Sequence, residues 1–308
     1  MRTEYFSFQG YHDAELSAVL WLPEEEPKQI LQIVHGMTEH MGRYTALAEE
    51  LTAQGIGVAG FDLPGHGKNP GDLQVASLGE EGWKASVEDI RLFFDLLAQR
   101  FPKQPHYLLG FSLGSFLLRE YLAGGSKNIA GAVIMGTGWQ PGIVLRIMKM
   151  IVKCQIKKAG FDQTTPLVRQ LSFGTYNQKC RPNRTSADWL CADEKQLDKY
   201  LDDSLCREDI SAGLFWQLLD SMERTGKASV YESWNKNLPI LLLSGREDPV
   251  GDAGKGVETV KKQMEAAGIR HLKMQLFAGA RHDLLHEESC GAAGEARRLI
   301  GEWIRGQK

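Results

Sequence analysis

Gly110-Phe111-Ser112-Leu113-Gly114 is the stretch that decides the fold, because of what lies on either side of it. The apolar run at residues 106–109 before it is typical of a buried strand. Residues 115–122 after it have apolar side chains at helical spacing and end at a glycine pair. A strand, Gly-x-Ser-x-Gly and a helix in this order form a nucleophile elbow, a strained turn that exposes a serine hydroxyl above a sheet. The sequence therefore predicts Ser112 as a nucleophile.

The composition of the 308-residue chain is that of an ordinary globular protein, with 43% apolar and 24% charged residues. The formal charge of −3 gives no electrostatic reason to expect nucleic acid or an anionic membrane as a partner. No apolar run is long enough to span a bilayer, and no signal peptide is recognisable. The five cysteines have no metal-binding spacing and are predicted to be reduced thiols of a cytoplasmic protein.

Strand and helix patterns alternate along most of the chain, which favours a mostly parallel, doubly wound sheet. The first two strands are predicted to form an antiparallel pair at a sheet edge. The predicted strands are Thr3–Phe8, Glu15–Leu22, Ile30–Val34, Ile56–Phe61, Tyr107–Leu109, Ile129–Met135, Leu238–Leu243 and Leu272–Phe277. The predicted helices are Tyr44–Gln54, Glu81–Gln99, Leu113–Leu122, Gly256–Ala267 and Ala292–Arg305.

This alternation breaks between residues 140 and 234, where the sequence is helical and irregular without a strong strand pattern. We therefore predict an α/β core formed by residues 1–139 and 235–308, with residues 140–234 inserted as one helical cap.

A serine nucleophile needs a base that takes its proton and an acid that orients the base. In the elbow fold the acid and the histidine follow the serine in the chain, each after a late strand. Asp248 follows the strand at residues 238–243, and His282 follows the strand at residues 272–277. The order Ser112, Asp248, His282 therefore predicts a catalytic triad, although an Asp before proline is also common in ordinary turns.

Other acidic and histidine residues near these segments are weaker candidates. Asp62 precedes the serine and is interpreted as a residue that braces a turn. Asp252 would replace Asp248 if the register were shifted by a few residues. Asp283 also lies near the right place in the chain, whereas His286 and Glu287 fit a helix surface or a position that supports the catalytic residues.

Hydrolysis through a serine also requires two backbone N–H groups that hold the developing oxyanion. One is expected from Leu113, the residue after the nucleophile. The other is expected from Met37, in the loop that follows an early strand, where Gly36 permits a close backbone approach. His35 in the same loop is interpreted as a residue that shapes the loop by hydrogen bonding to the backbone.

These motifs together resemble those of the α/β-hydrolase superfamily, and the HG-x-x-EH-x-x-RY stretch resembles its monoacylglycerol lipase and lysophospholipase-like branch. The resemblance covers nearly the whole chain and rests on residues 35–44, 62–67, 110–114 and 248–251. The cap segments at residues 173–177, 183–185 and 188–190 also resemble those of bacterial members of this branch. It implies the α/β-hydrolase fold, a mostly parallel sheet flanked by helices, with a helical cap inserted after the sixth core strand. It also implies that Glu39 and Arg43 lie near the polar head of a substrate. A structural salt bridge between the oxyanion loop and the next helix explains the pair equally well.

The cap helix predicted at residues 143–158 is basic and amphipathic. Its predicted apolar face comprises Val144, Ile147, Met148, Ile151 and Cys154 or Gln155, and Met150 with Val152 extends it. Such a helix can dock weakly on a membrane surface, but simple packing over the pocket is the favoured interpretation.

The predicted protein is a serine ester hydrolase that acts on monoacylglycerols, lysophospholipids or shorter esters, without metal or organic cofactor. A peptidase that releases N-terminal residues remains an alternative on the same core, with Glu194, Glu208 or Glu223 available to hold the substrate amine. A thioesterase or acyltransferase would differ mainly in its pocket. A non-catalytic binding protein is disfavoured because all three triad residues are present, and an epoxide hydrolase or dehalogenase would need a carboxylate in place of Ser112.

Overall fold

The computed structural model describes residues 1–69, 71, 74–125 and 128–307. An eight-stranded sheet runs through it in the order β1-β2-β4-β3-β6-β7-β9-β10. The strands are β1 Arg2–Gln9, β2 Glu15–Leu22, β3 Gln29–Val34, β4 Ile56–Phe61, β5 Val75–Ala76, β6 His106–Phe111, β7 Ile129–Met135, β8 Asp209–Ile210, β9 Ile240–Gly245 and β10 Leu272–Phe277. β1 pairs antiparallel with β2, as predicted, and β2 pairs antiparallel with β4. From β4 to β10 every pairing in this sheet is parallel.

Ten α-helices accompany the described strands: α1 Thr45–Thr52, α2 Gly82–Arg100, α3 Leu113–Ala123, α4 Gly142–Ala159, α5 Pro166–Arg169, α6 Thr175–Gln178, α7 Glu194–Leu201, α8 Ala212–Thr225, α9 Lys255–Ala266 and α10 Ala292–Gly306. The five core helices predicted from the sequence each lie within two residues of these bounds. Their apolar spacing was strong, so the helix ends alone were open to error.

Helices cover both faces of the sheet, which explains the continuous apolar runs of its central strands. Along β6, Leu108 packs on the face covered by α2, α3, α8 and α9. Its neighbours Tyr107 and Leu109 pack on the opposite face with α1 and α10. Because side chains alternate along a strand, β6 contributes residues to the apolar clusters on both faces of the sheet. Because β3, β6, β9 and β10 run parallel, their carboxyl ends lie at the same edge of the sheet. The loops that follow these strands can bring reactive side chains together there.

The segment between β7 and β9 carries α4 to α8 and forms the helical cap of the α/β-hydrolase fold. α8 contacts both α4 and α3, so the precise boundaries at residues 140 and 234 stay a prediction. β8 pairs in parallel with β5, joining this segment to the loop after β4. The expectation of a cap with no strong strand missed this ladder, because two-residue strands are too short to show alternation.

The predicted apolar face of the cap helix was wrong in part. Val152, which the prediction included, is buried, but so is Leu145, which it left out, whereas Ile147 of the predicted face is 49% exposed. Met150 is 66% exposed. Apolar residues occur outside the buried stripe of this helix as well as within it, so periodicity alone did not define that stripe correctly. No helix in the described parts of the chain combines the length and the apolar character needed to cross a bilayer.

Candidate active site

Ser112 lies in a strained turn between β6 and α3. Its backbone angles are φ 50° and ψ −115°, in a region that a non-glycine residue rarely occupies. The turn requires glycines on both sides. A Cβ on Gly110 would lie 2.4 Å from the carbonyl oxygen of Gly114, and one on Gly114 would lie 2.0 Å from that of Val34. The strand and the helix can therefore approach each other this closely only because residues 110 and 114 lack side chains.

Three of the predicted residues form one hydrogen-bonded series. Ser112 Oγ lies 2.8 Å from His282 Nε2, and His282 Nδ1 lies 3.0 Å from Asp248 Oδ2. All three side chains are buried. With the proton of the neutral imidazole on Nδ1, which faces the carboxylate, Nε2 is free to accept the serine proton. This arrangement can activate a hydroxyl as a nucleophile.

Asp248 is held by its own turn. Its Oδ1 accepts the backbone N–H of Val250 at 2.8 Å, and its Oδ2 accepts the hydroxyl of Ser244 at 3.1 Å. These bonds keep the carboxylate oriented toward His282. The imidazole in turn packs between Phe111 and Trp189, whose ring centroids lie 5.0 and 5.2 Å away.

The amides of Met37 and Leu113, predicted to bind an oxyanion, lie near Ser112. Leu113 is the first residue of α3, where backbone N–H groups have no helical partner. Met37 lines the small pocket that contains Ser112. In the described residues neither amide has a hydrogen-bond acceptor. The neighbouring N–H of Gly36, by contrast, donates to Glu39 Oε1 at 2.6 Å and is not available.

His35 and Asp62 shape the loops around these amides. His35 Nε2 accepts the backbone N–H of Leu63 at 2.8 Å, and its Nδ1 lies 2.7 Å from the carbonyl of Gly36. Burial lowers the pKa of His35 to about 3, so the ring stays neutral and keeps both bonds. Asp62 accepts the backbone N–H of Met41 at 2.8 Å. Neither side chain contacts Ser112 or His282, which fits the bracing roles expected for both.

The remaining acidic candidates also have other partners. Asp252 is exposed and lies 3.4 Å from Lys179 on the surface, so a shifted register with Asp252 as the acid does not fit this geometry. Glu287 is fully buried and accepts the backbone N–H groups of Ala192 and Arg281. It therefore ties the cap to the loop that carries the histidine.

Glu39 and Arg43 belong to a buried ion network beside the small pocket. Arg43 Nε lies 3.5 Å from Glu39 Oε2, while its Nη2 donates to Asp283. Glu39 also accepts the hydroxyl of Tyr44 at 2.8 Å. His286 Nδ1 lies 2.7 Å from the other oxygen of Asp283. These contacts match the structural salt bridge considered from the sequence, but Arg43 Nη1 has no partner in the described residues and the pocket wall includes this side chain.

The pKa values of the two carboxyl groups in this network, Glu39 and Asp283, are shifted in opposite directions. Burial raises the pKa of Glu39, although Arg43 pulls it down. Burial acts in the same sense on Asp283, but His286 and Arg43 together hold the pKa of that carboxyl well below its usual range. Asp283 therefore carries the charge that balances the guanidinium, next to the catalytic candidate His282.

Two adjacent cavities are lined by residues of the core and the cap. The pocket above Ser112 has only about 20 Å³, whereas the adjoining cavity inside the cap has about 750 Å³. Their walls share five residues: Thr38, Phe173, Trp189, Leu190 and Tyr200. The larger volume lies in the range of small-molecule sites.

Sequence reasoning missed how these aromatic residues close the pocket. Trp189 stacks on Phe173 at 5.4 Å and lies over His282. The hydroxyl of Tyr200 lies 2.7 Å from that of Thr38 in the oxyanion loop. The segments containing Phe173 and Trp189 stood out only through the family resemblance. Their position over the histidine depends on the path of the cap, which no local pattern encodes.

A group of three side chains offers possible metal ligands: one atom each from His40, Asp203 and Cys206, all within 4.8 Å of one another. The donor set does not suit a cation. His40 Nδ1 accepts the N–H of Gly42 at 3.2 Å, which leaves Nε2 protonated and directed at Asp203. Burial raises the pKa of Cys206 to about 12, so its thiol keeps its proton. We interpret the group as a hydrogen-bonded contact between oxyanion loop and cap.

The elbow, the parallel sheet and the inserted helices define an α/β-hydrolase. Residues 25–289 match the model of the family described as serine aminopeptidase, S33. Because this match covers most of the chain, the protein belongs to that family. The mouse monoglyceride lipase is 26% identical over 285 residues, which cover 92% of this chain and 84% of the relative.

Solved structures with the same fold include a thermostable carboxyl esterase from Bacillus coagulans in complex with glycerol. It is 24% identical, covers 100% of this chain and 99% of its own, and superimposes with a TM-score of 0.88. The monoacylglycerol lipase of Paleococcus ferrophilus is also 24% identical, covers 96% of this chain and 100% of its own, and has a TM-score of 0.69. The predicted fold and superfamily are confirmed, and the chain is similar to carboxylic ester hydrolases of the monoglyceride lipase-like kind.

Proposed function

We propose that the protein hydrolyses esters of monoacylated glycerol or glycerophosphate compounds, or shorter carboxylic esters, through Ser112, His282 and Asp248. The observation that carries the proposal is the hydrogen-bonded series from Ser112 Oγ through the imidazole to the Asp248 carboxylate. Its support from the comparisons is the similarity to monoglyceride lipases over most of the chain. The cavity in the cap gives such a substrate room beside the serine.

In this mechanism Ser112 Oγ attacks the ester carbonyl carbon while His282 Nε2 takes the hydroxyl proton. The backbone N–H groups of Met37 and Leu113 hold the oxyanion of the tetrahedral intermediate. His282 then gives the proton to the leaving alcohol, and an acyl-enzyme remains. A water molecule, deprotonated by His282, attacks the acyl carbon, and the carboxylic acid leaves as the serine recovers its proton. Asp248 orients the imidazole and stabilises its cationic form throughout.

Glu39 and Arg43 have different places in this proposal. Both oxygens of Glu39 are engaged within the protein, by Gly36, Tyr44 and Arg43. We therefore assign Glu39 to supporting the oxyanion loop. Arg43 Nη1 is the group of this pair that a polar substrate head can contact, because it has no partner in the described residues.

The test is hydrolysis of p-nitrophenyl esters from acetyl to palmitoyl by the wild type and by Ser112→Ala. Turnover that disappears in the variant, while its melting temperature stays within a few degrees, supports the serine mechanism. A long-chain optimum supports lipid substrates, and a short-chain optimum supports a general esterase. Undiminished turnover in Ser112→Ala refutes the assignment.

The family description favours one second candidate, a serine peptidase that releases N-terminal residues. Such an enzyme needs a carboxylate near the serine to bind the substrate amine. Of the three glutamates considered from the sequence, Glu208 lines the cap cavity, whereas Glu223 is engaged by Lys149. Hydrolysis of amino-acid p-nitroanilides, compared with their N-acetylated forms, tests this candidate. Cleavage of the free-amine substrates alone, lost in Glu208→Gln, would favour the peptidase.

We also propose a weak membrane contact through α4. Ile143, Ile147 and Met150 are exposed along one side of this helix. Lys153 and Lys157 follow on the same helix and form no salt bridge with the described residues. Exposed apolar side chains beside free lysines are suited to an anionic lipid surface. Flotation with phosphatidylglycerol vesicles tests the contact. Equal recovery of wild type and Ile147→Glu/Met150→Glu would refute it.

A further inference from the structure

Arg207 is a buried cation without a carboxylate partner. Its side chain is only 2% exposed, and no acidic group of the described residues lies within salt-bridge distance of it. Its Nη1 donates to the carbonyl of Leu205 and its Nη2 to that of Gly67, both at 3.1 Å, while Nε has no partner. A buried charge is costly unless it is paired. The two carbonyl groups satisfy hydrogen-bond donors of the guanidinium, but they carry no net charge that would neutralise it.

The position of Arg207 links this charge to the candidate active site. The residue forms part of the wall of the 750 Å³ cavity. Its backbone N–H donates to the carbonyl of Thr38 at 3.0 Å, so it lies against the loop that supplies the oxyanion amide of Met37. A group bound near Arg207 would therefore belong to the part of a substrate close to the reacting ester rather than to a distant chain end.

The same cavity has walls that suit a hydrogen-bonding group. Amide side chains from the cap contribute to them: Gln170, Asn177, Gln178 and Asn183. Amide groups offer both donors and acceptors, whereas a site for a long alkyl chain alone would be mainly apolar. Aromatic residues concentrate on the side that adjoins the small pocket above Ser112, where Phe173 and Trp189 stack.

The other charges of the wall do not cancel Arg207. Arg169 donates to Asp209 from two nitrogens, from Nε to Oδ1 at 2.8 Å and from Nη2 to Oδ2, so these two side chains are neutral together. Glu208 is exposed, and water and salt screen its charge much more than that of a buried group. Arg207 is consequently the one buried charge of the described cavity wall that has no carboxylate within salt-bridge distance.

We propose that Arg207 selects substrates whose alcohol part carries an anionic head group, the class represented by acylated glycerol phosphates. The proposal rests on the serine ester hydrolase function proposed above and narrows its substrate. The anion balances the buried guanidinium, and Gln170 and Gln178 of the cavity wall offer amide donors for its oxygen atoms. A neutral monoacylglycerol leaves the charge unbalanced and is the poorer substrate.

The experiment compares two esters with one acyl chain, 1-octanoyl glycerol and 1-octanoyl glycerol 3-phosphate, both below their micelle concentrations. We expect kcat/KM of the wild type to be at least tenfold higher for the phosphate ester. In Arg207→Gln it should fall on the order of 10- to 100-fold for that ester, the range for a hydrogen bond to a charged group. For the neutral ester it should change less than threefold. Arg207→Lys keeps the charge and should retain part of the preference.

Arg184→Gln is the matched control, because Arg184 is an exposed cap arginine that pairs with Asp198 away from the cavity wall. Inhibition of the wild type gives a measurement that needs no variant: glycerol 3-phosphate should compete with substrate at much lower concentration than glycerol. Equal kcat/KM for the two esters, or equal losses for both in folded Arg207→Gln, would overturn the role of Arg207. Absence of Ser112-dependent turnover of either ester would instead overturn the proposed hydrolase function.

Discussion

Replacing Asp248 with asparagine gives a sharp test, because the structure determines how the new amide must turn. Oδ1 of Asp248 accepts the N–H of Val250 at 2.8 Å, while Oδ2 faces His282 Nδ1 at 3.0 Å. An amide has one acceptor oxygen and one donor NH₂. With the NH₂ toward Val250, two buried donors would meet, at a cost of about 1–3 kcal/mol. The NH₂ therefore faces His282.

This orientation forces the wrong tautomer on the base. His282 Nδ1 must accept from the amide, so the imidazole proton moves to Nε2, which then cannot take the proton of Ser112. The expected loss in kcat is on the order of 10⁴-fold. The fold should survive, because the hydroxyl of Ser244 can turn to the carbonyl of Gly245, already 3.3 Å away.

The assay is steady-state hydrolysis of p-nitrophenyl butyrate, with melting temperatures for every variant. Asp252→Asn is the matched control, because Asp252 lies on the same turn but is exposed and paired with Lys179. We expect the control to stay within twofold of the wild type. Asp248→Asn that keeps more than a tenth of the wild-type kcat, or a control that falls equally, would refute the reasoning.

Three further predictions concern the elbow, a buried acid and the pocket wall. Gly114→Ala should abolish turnover and lower the melting temperature, because its Cβ would lie 2.0 Å from a backbone carbonyl of β3; a fully active variant contradicts the elbow geometry. Burial raises the pKa of Asp89 to about 6, although the N–H of Tyr11 opposes the shift. Because this folded-state pKa exceeds the unfolded value of about 3.9, the folded protein holds the proton more tightly and stability declines as pH rises from about 4 to 6. Asp89→Asn should remove that decline in urea unfolding curves measured at several pH values, and an unchanged pH dependence argues against it. Trp189→Ala should open the pocket and shift the ratio of kcat/KM values toward bulkier acyl groups; an unchanged ratio means that this ring does not limit access.

The residues of the hydrogen-bonded series could be selected from the sequence because each one follows a strand with a strong apolar pattern. β6, β9 and β10 are parallel neighbours or near neighbours, so their carboxyl ends share one edge. The chain order of Ser112, Asp248 and His282 then assigned the roles. Their catalytic roles stay predictions that the variants above test. Loops on a regular scaffold are predictable to this extent because the strands alone determine where they begin.

The cap shows where such reasoning stops. Arg207 is one arginine in an irregular segment, and its burial follows from packing against the Gly67 turn, 140 positions earlier in the chain. Glu287 looked like a residue near the histidine, yet it bonds the cap backbone at Ala192. The exposed stripe of α4 was misassigned because the helix is apolar on more than one side. Each of these features depends on contacts between distant segments, for which local sequence has no periodic signal.

The contacts between cap and core also determine which part of the cap can move to admit a substrate. The N–H of Asp283 donates to the carbonyl of Leu190 at 2.7 Å, and Glu287 binds the N–H of Ala192. The cap segment around Trp189 is thus fixed to the loop of His282, and displacing it would disturb the base. The wall made by Phe173 has no hydrogen bond of this kind to the histidine loop among the described contacts. We therefore predict that substrate enters on the Phe173 side, because widening the pocket of about 20 Å³ there would not require the loop of His282 to move.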